Sequence, residues 1–293
     1  MENRIRIGSR ESRLAVIQAE IVKRQIQENY PEMKVDIITM KTTGDRILDR
    51  NLDEIGGKGL FVKELDKALL ENQIDLSVHS LKDMPMETSE ELPILAYSKR
   101  EDPRDVLIYK SGRETIPTGG VIGSSSKRRT LQLGKLYPQC SYQSIRGNVQ
   151  TRLAKLEQDS YDAIVLAYAG IQRLGLQGRI GRIFHTTEMV PAAGQGILAV
   201  QGRRGEGAAY LSAIMDLESQ WAALAERSFV RTLEGGCSSP IGAYAQIAGT
   251  QIRLRGLYYD EKTKTYEVDE IVGQVNQGEA LGEQLALQLK NRF

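Results

Sequence analysis

The sequence predicts an α/β fold: two α/β domains of similar size, followed by a smaller C-terminal α+β domain. Three observations carry this expectation. Short apolar runs alternate with helix-periodic segments through the first two hundred residues, the alternation breaks and restarts at the charged stretch KREDPRD (99–105), and beyond residue 217 the strand-like segments follow one another between two helices instead of interleaving with helices.

IRIGSR (5–10) reads as a strand that ends in Gly and Ser, and SRLAVIQAEIVKRQIQENYP carries apolar residues at helical spacing until Pro31 stops it. VDIITMK (35–41) is the next strand, FVKELDKALLENQ (61–73) a helix, and DLSVHSL (75–81) a strand running into KDMP, with PILAYSK after Pro93. This βα alternation predicts a mostly parallel sheet covered by helices on both faces. Past KREDPRD the rhythm resumes. DVLIY and VIGSS are strand-like, SKRRTLQLGKLY is a helix, YQSIR a strand, NVQTRLAKLEQ a helix, and YDAIVLAYAGIQRL a strand leading into a helix. PAAGQGILAVQGR (191–203) is a glycine-rich crossing with one more strand, read as a return to the first domain. LESQWAALAERSFVRTL, the GGCSSP loop, two alternating strands and the helix EALGEQLALQLKNRF complete the chain. The expected domains are therefore 1–98 with 192–216, 99–191, and 217–293.

Composition narrows the chemistry. The chain has 293 residues, 41% hydrophobic and 26% charged, with a net charge of +1, so the bulk basic field typical of nucleic-acid binding is absent. No segment approaches the roughly 20 apolar residues of a membrane span, and the N-terminus has no signal-like apolar core, which predicts a cytoplasmic protein with neither membrane nor nucleic-acid partner. Cys140 and Cys237 lie far apart without CxxC spacing, and His79 and His185 are isolated, so no disulfide framework or metal site is expected. Cys140 reads as a small core residue.

In open α/β sheets ligands sit beyond the carboxyl ends of the strands, and Arg10, Arg128, Arg129, Arg146, Arg152 and Arg173 fall in or just after such strand-to-helix crossings. Singly, each is equally an ordinary surface charge; together they predict a site for a polyanion between two facing α/β domains, helped by the helix start at Ser124, Ser125 and Ser126. The glycine-rich pieces do not match phosphate loops. GGKGLF (56–61) lacks the upstream glycine and the terminal Ser or Thr, and PAAGQG precedes a strand. HSLKDMP (79–85) puts Lys82 and Asp83 directly after a strand, with Pro85 fixing the turn; a solvated turn and a functional carboxylate are the two readings of that pair. TTGDRILDRNLDEIGG (42–57) reads either as a mobile lid or as a surface loop.

These motifs, in order, resemble the porphobilinogen deaminase family, also called hydroxymethylbilane synthases. IGSRESRLA, GGKGLF, HSLKDMP, REDPRD, SSSKRR, IRGNVQTRL, LAYAGIQRL, PAAGQG and GGCSSPIGAYA carry the resemblance over almost the whole chain. It implies two periplasmic-binding-protein-like α/β domains with an active-site cleft between them, plus the smaller C-terminal domain, and a monomer. It implies that Cys237 holds a dipyrromethane cofactor through a thioether. It further implies that four porphobilinogen units are joined head to tail with loss of ammonia, and that water releases the linear tetrapyrrole hydroxymethylbilane, in haem biosynthesis.

By motif position the resemblance assigns Asp83 to catalysis, Lys82, Ser126, Arg128, Arg129 and Arg146 to the cofactor with Cys237, and Arg10, Ser12, Lys58, Phe61, Arg152, Arg173 and Gln195 to substrate and growing chain. Ser238, Ser239 and Lys127 depart from the family's usual residues, without removing a charged or nucleophilic group. Two rivals are a two-lobed carboxylate-binding protein, which has no use for Cys237 or Asp83, and a nucleic-acid module reading SSSKRR as a basic patch, which the near-neutral charge and 6% aromatic content disfavour.

Overall fold

The computed structural model describes residues 4–46, 62–206, 209–236 and 239–293, which form two compact units: residues 1–101 with 197–220, and residues 102–196 with 221–293.

In the first unit the chain runs through β1 (Arg4–Arg10), α1 (Arg13–Asn29), β2 (Lys34–Met40), α2 (Thr43–Arg46), α3 (Lys63–Leu70), β3 (Leu76–Ser80) and β4 (Ile94–Tyr97). The second unit follows with β5 (Asp105–Tyr109), β6 (Val121–Gly123), α4 (Lys127–Leu136), β7 (Ser141–Gln143), α5 (Val149–Gln158), β8 (Ala163–Ala167), α6 (Tyr168–Arg173) and β9 (Arg182–Ile183). β10 (Leu198–Gly202) re-enters the first unit, and α7 (Leu217–Thr232), β11 (Gly242–Ala248), β12 (Gln251–Asp260), β13 (Thr265–Gln274) and α8 (Gly278–Lys290) end the chain.

The first sheet has the order β2-β1-β3-β10-β4. β1, β2 and β3 are mutually parallel, as the βα rhythm predicts, but β10 is antiparallel to both β3 and β4. Apolar side chains on one face of the sheet pack with Ala19, Val22 and Ile26 of α1, while Leu65, Ala68 and Leu69 of α3 form a second core with Ile74 and Leu92. The sheet is thus covered on both sides, which is why its strands read as near-continuous apolar runs.

The second sheet, β7-β6-β8-β5-β9, is also mixed: β6 pairs in parallel with β7 and β8, and β5 runs antiparallel to β8 and β9. Val106 and Ile108 enter the core that holds Leu156 and Ile171, while Leu107 enters the core on the other face with Leu133 and Phe184, the period-2 split of a strand buried on both faces. The C-terminal residues form an antiparallel sheet, β11-β12-β13, backed by α8. Gly282 lets α8 lie directly on α7: a Cβ there would meet the Ala225 carbonyl oxygen at 2.4 Å. The GAYA segment of the loop motif proves to be part of a strand, β11, whose Ala243 N–H donates to the Pro191 carbonyl.

Candidate functional site

In the first unit, parallel neighbours β1 and β3 deliver their carboxyl ends to the same sheet edge, bringing Arg10 together with the turn after Ser80. Arg10 is the last residue of β1 and is half-buried. Ser12 is the N-cap of α1, its Oγ accepting from the Ala15 N–H at 3.4 Å, so the hydroxyl helps begin the helix that follows the arginine. After β3 the chain makes a single 3-10 turn, Leu81–Asp83. Leu81 and Met84 are buried, and between these anchors Lys82 is half-buried and Asp83 exposed. Gln18 of α1 donates to Ser80 Oγ at 2.9 Å, and the Leu81 N–H donates to the Ile197 carbonyl, which ties the turn to the sheet.

In the second unit the mixed topology concentrates charge. β6 and β8 end at the sheet edge where antiparallel β5 begins, so Asp105, the first residue of β5, is in register with Ala167, the last of β8. Ser126 caps α4 without a side-chain bond of its own, and Arg128 and Arg129 occupy the first turn of that helix. Both are buried, at 3% and 7% exposure, and both turn onto the fully buried Asp105. Arg129 donates from Nε and Nη2 to Oδ1 at 3.0 and 2.7 Å, and from Nη1 to the Val165 carbonyl. Arg128 Nη1 lies 2.8 Å from Oδ2 and donates to the Val190 carbonyl at 2.6 Å. Burial alone would push the Asp105 carboxyl up; the two guanidiniums override it and hold the group well below the ordinary carboxylate range.

Gln195 belongs to the same cluster. It is fully buried, and its Nε2 donates to Asp105 Oδ1 at 3.0 Å and to the Pro103 carbonyl at 2.6 Å. The PAAGQG segment around it is held from several sides. Gln132 of α4 exchanges hydrogen bonds with Val190, and Glu226 of α7 accepts from the Gly194 N–H at 2.7 Å and, through its other oxygen, from the Ala245 N–H at 2.6 Å. Gly194 and Gly196 have φ of +73° and +93°, a conformation that side chains with a Cβ rarely adopt, so the motif's glycines answer to backbone geometry.

Arg146 follows β7, Arg152 lies in α5 with Nε on the Gly147 carbonyl at 2.8 Å, and Arg173 ends α6 with Nη2 on the Gly196 carbonyl at 2.9 Å. Arg128 Nε, Arg146 Nη1 and Gln150 Nε2 are buried donors that find no acceptor among the described residues. Asp105 Oδ2, in ion-pair contact with Arg128, is the buried acceptor of that cluster left without a hydrogen bond, and donors of this kind are what a carboxylate-bearing group would complete. Lys58, Phe61 and Cys237 lie outside the described residues, as does most of the 42–57 segment. The guanidiniums at the start of α4 are buried because a fully buried carboxylate stands opposite them. That carboxylate, Asp105, closes the REDPRD motif, and Glu226 sits in the middle of an apolar helix; neither was assigned a site role from sequence, and the signal available was the charge at the margin of a buried strand and within a buried helix face.

Among the described residues no group of His, Cys, Asp and Glu is arranged to hold a metal ion, and no helix is long and apolar enough to cross a membrane. The family model "Porphobilinogen deaminase, dipyromethane cofactor binding domain" matches residues 5–210, and the model of the family's C-terminal domain matches residues 221–291. Curated relatives named porphobilinogen deaminase include those of Acetivibrio thermocellus and Ruminiclostridium josui, each 54% identical over 98% of both chains. That of Alkaliphilus oremlandii is 52% identical over 98% of this chain and 97% of its own. The chain belongs to the porphobilinogen deaminase family, transferases of tetrapyrrole biosynthesis that carry a dipyrromethane cofactor.

Proposed function

We propose that this chain joins four porphobilinogen units, with loss of ammonia, onto a dipyrromethane fixed to Cys237, and that the arginines of its strand-to-helix crossings hold the carboxylates of cofactor, substrate and product. The observation that carries the assignment of roles is the set of buried, acceptorless donors around Arg128, Arg146 and Gln150, which suits a ligand rich in carboxylates. Lys82, Ser126, Arg128, Arg129 and Arg146 take the cofactor side. Arg10, Ser12, Arg152, Arg173 and Gln195 serve the substrate and growing chain, with Lys58 and Phe61 joining them by motif position; Gln195 acts from beneath, through Asp105.

When bound, the dipyrromethane supplies the pyrrole carbon to which the first substrate unit is joined. The chain's own residues supply the rest. Asp83, exposed between the anchors Leu81 and Met84, offsets the positive charge that develops on the substrate as its amine leaves as ammonia, and accepts the pyrrole N–H. Lys82 beside it and Arg10 on the neighbouring strand orient carboxylates so that the reacting carbon meets that carboxylate. Three domains divided at 1–98 with 192–216, 99–191 and 217–293, action as a monomer and a cytoplasmic location complete the proposal.

Intact mass tests it. The purified protein carries an excess equal to a dipyrromethane and stains with Ehrlich's aldehyde reagent, whereas Cys237→Ser loses both, because a hydroxyl is a far poorer nucleophile than a thiolate. Equal staining of parent and variant refutes attachment at Cys237.

A further inference from the structure

The second unit sets one buried carboxylate against two buried guanidiniums. Asp105 and the side chains of Arg128 and Arg129 leave a cluster with one positive charge in excess, in surroundings where uncompensated charge is costly. The cations also stand where a helix tolerates them least. Lys127, Arg128 and Arg129 open α4, no acidic residue shares that first turn, and the helix dipole presents its positive end there. Carbonyls of Val165 and Val190 absorb part of the charge, yet Arg128 Nε, fully buried, donates to nothing among the described residues. Such a local conflict persists when a bound group resolves it.

Asp105 also fixes where that group can dock. Its two oxygens are divided between the arginines, Oδ1 taking Arg129 side-on through Nε and Nη2 and Oδ2 facing Arg128 Nη1, while Gln195 adds a third donor to Oδ1 and Pro103 anchors Gln195. Arg129 is fixed by Asp105 Oδ1, and Arg128 by its ion pair with Oδ2 together with its bond to the Val190 carbonyl, so their remaining N–H groups point in fixed directions. We infer that Asp105 is the positioning residue of the cofactor site: an internal carboxylate that orients Arg128 and Arg129 and leaves them a single unit of charge for an incoming carboxylate of the dipyrromethane. This rests on the reading that the arginine pair takes cofactor carboxylates.

The test follows cofactor loading rather than turnover. Apoprotein of the parent, Asp105→Glu and Asp105→Ala is incubated with porphobilinogen at 15 °C, the mass increment is followed with time, and urea unfolding is measured on the same samples. Asp105→Glu keeps the charge but displaces it by a methylene, so it folds and loads roughly tenfold or more slowly than the parent, the scale of a misplaced binding group. Asp105→Ala loads more slowly still. Formate at about 100 mM then has opposite effects: it fills the vacated carboxylate position and speeds loading of Asp105→Ala, but competes for the arginines of the parent and slows it. A purely structural Asp105 gives no such reversal. Parental loading rates in Asp105→Glu overturn the inference, including when Asp105→Ala fails to fold, and so does a formate effect of one sign in both proteins. A parent that gains no mass at all overturns the underlying cofactor reading and the inference with it.

Discussion

Replacing Asp66 by Asn should raise stability at neutral pH and steepen its loss in acid, because Asp66 and His79 titrate in opposite directions within one unit. His79 lies buried on β3, with Nε2 2.8 Å from Ser77 Oγ, and Ser77 in turn donates to Gln201 Oε1 at 3.4 Å. Burial holds the imidazole down at about 4 against an opposing pull from Gln201, with the nearby charge of Arg10 adding a smaller push in the same direction as burial. The unfolded chain protonates this histidine near 6.5, so its contribution is complete above that pH and is lost as pH falls toward 4. A difference of 2.5 between about 4 and the ordinary 6.5 is worth about 3 kcal/mol.

Asp66 on α3 runs the other way. Its Oδ1 is buried without a hydrogen-bond partner, and burial pushes the carboxyl up to about 6, with Gln201 opposing. A raised carboxyl binds its proton more tightly in the native state, so it adds stability as pH falls from about 6 toward its unfolded value of 3.8. Because the side chain keeps part of its solvent contact, the gain is discounted to about 1–2 kcal/mol. The parent therefore shows only part of the histidine's acid loss. Asp66→Asn removes the compensation: it is more stable than the parent at pH 7 by about 1–2 kcal/mol, and that advantage disappears by pH 4. Urea unfolding of both proteins at pH 7 and pH 4.5, followed by far-UV circular dichroism, measures this, and the other carboxylates cancel in the difference. A variant-minus-parent difference that does not change with pH refutes the reasoning.

Two further predictions concern the reaction. Asp83→Asn, isosteric but uncharged, should keep fold and cofactor while single-turnover ammonia release falls roughly 10²-fold, with Asp83→Glu recovering part of it; release within a few-fold of the parent makes Asp83 a turn residue only. Arg146→Leu should lower cofactor loading, read by intact mass, far more than it lowers the unfolding midpoint, since its buried Nη1 has no internal acceptor to lose; normal loading would make Arg146 ordinary charge.

Much of the fold was legible because helical and strand periods are local properties. The 3.6-period of SRLAVIQAEIVKRQIQ and the run DLSVHS gave α1 and β3 to within a residue or two, and Pro31 marked the end of α1. Strand direction was not legible. An apolar run such as LAVQG is the same in either sense, so the sequence left the direction of β10 and β5 open, and both are antiparallel to their neighbours. The site shows the same division. Motif spacing put the arginines at the carboxyl ends of strands, where Arg10 and Arg128 do stand, but their burial depends on partners that only folding brings near: Asp105 lies 24 residues from Arg129 and 90 from Gln195 in sequence. Glu226 was hidden for a similar reason, since its two acceptor bonds run to backbone groups 32 residues earlier and 19 later.

The place of β10 in the first sheet bears on how the chain comes to be folded at all. β10 sits between β3 and β4, pairing with both, and among the described residues β4 has no other partner in that sheet. A ribosome that has released the first hundred residues has therefore produced β1, β2 and β3 in a form that can associate, and a β4 with nothing to join. The missing strand emerges only after residues 102–196 of the second unit have been synthesised, at roughly 5–20 residues per second a delay of about 5–20 s. During that interval the edge of β3 and the apolar side chains destined for the core beneath β4 are open to other chains, and closing the sheet then requires a loop of roughly a hundred residues whose ends a prefolded second unit holds at a restricted separation. Early folding of the second unit is thus a kinetic aid to the first, and substitutions that slow it should appear as aggregation of nascent or refolding chains even where the equilibrium stability of the first unit is untouched.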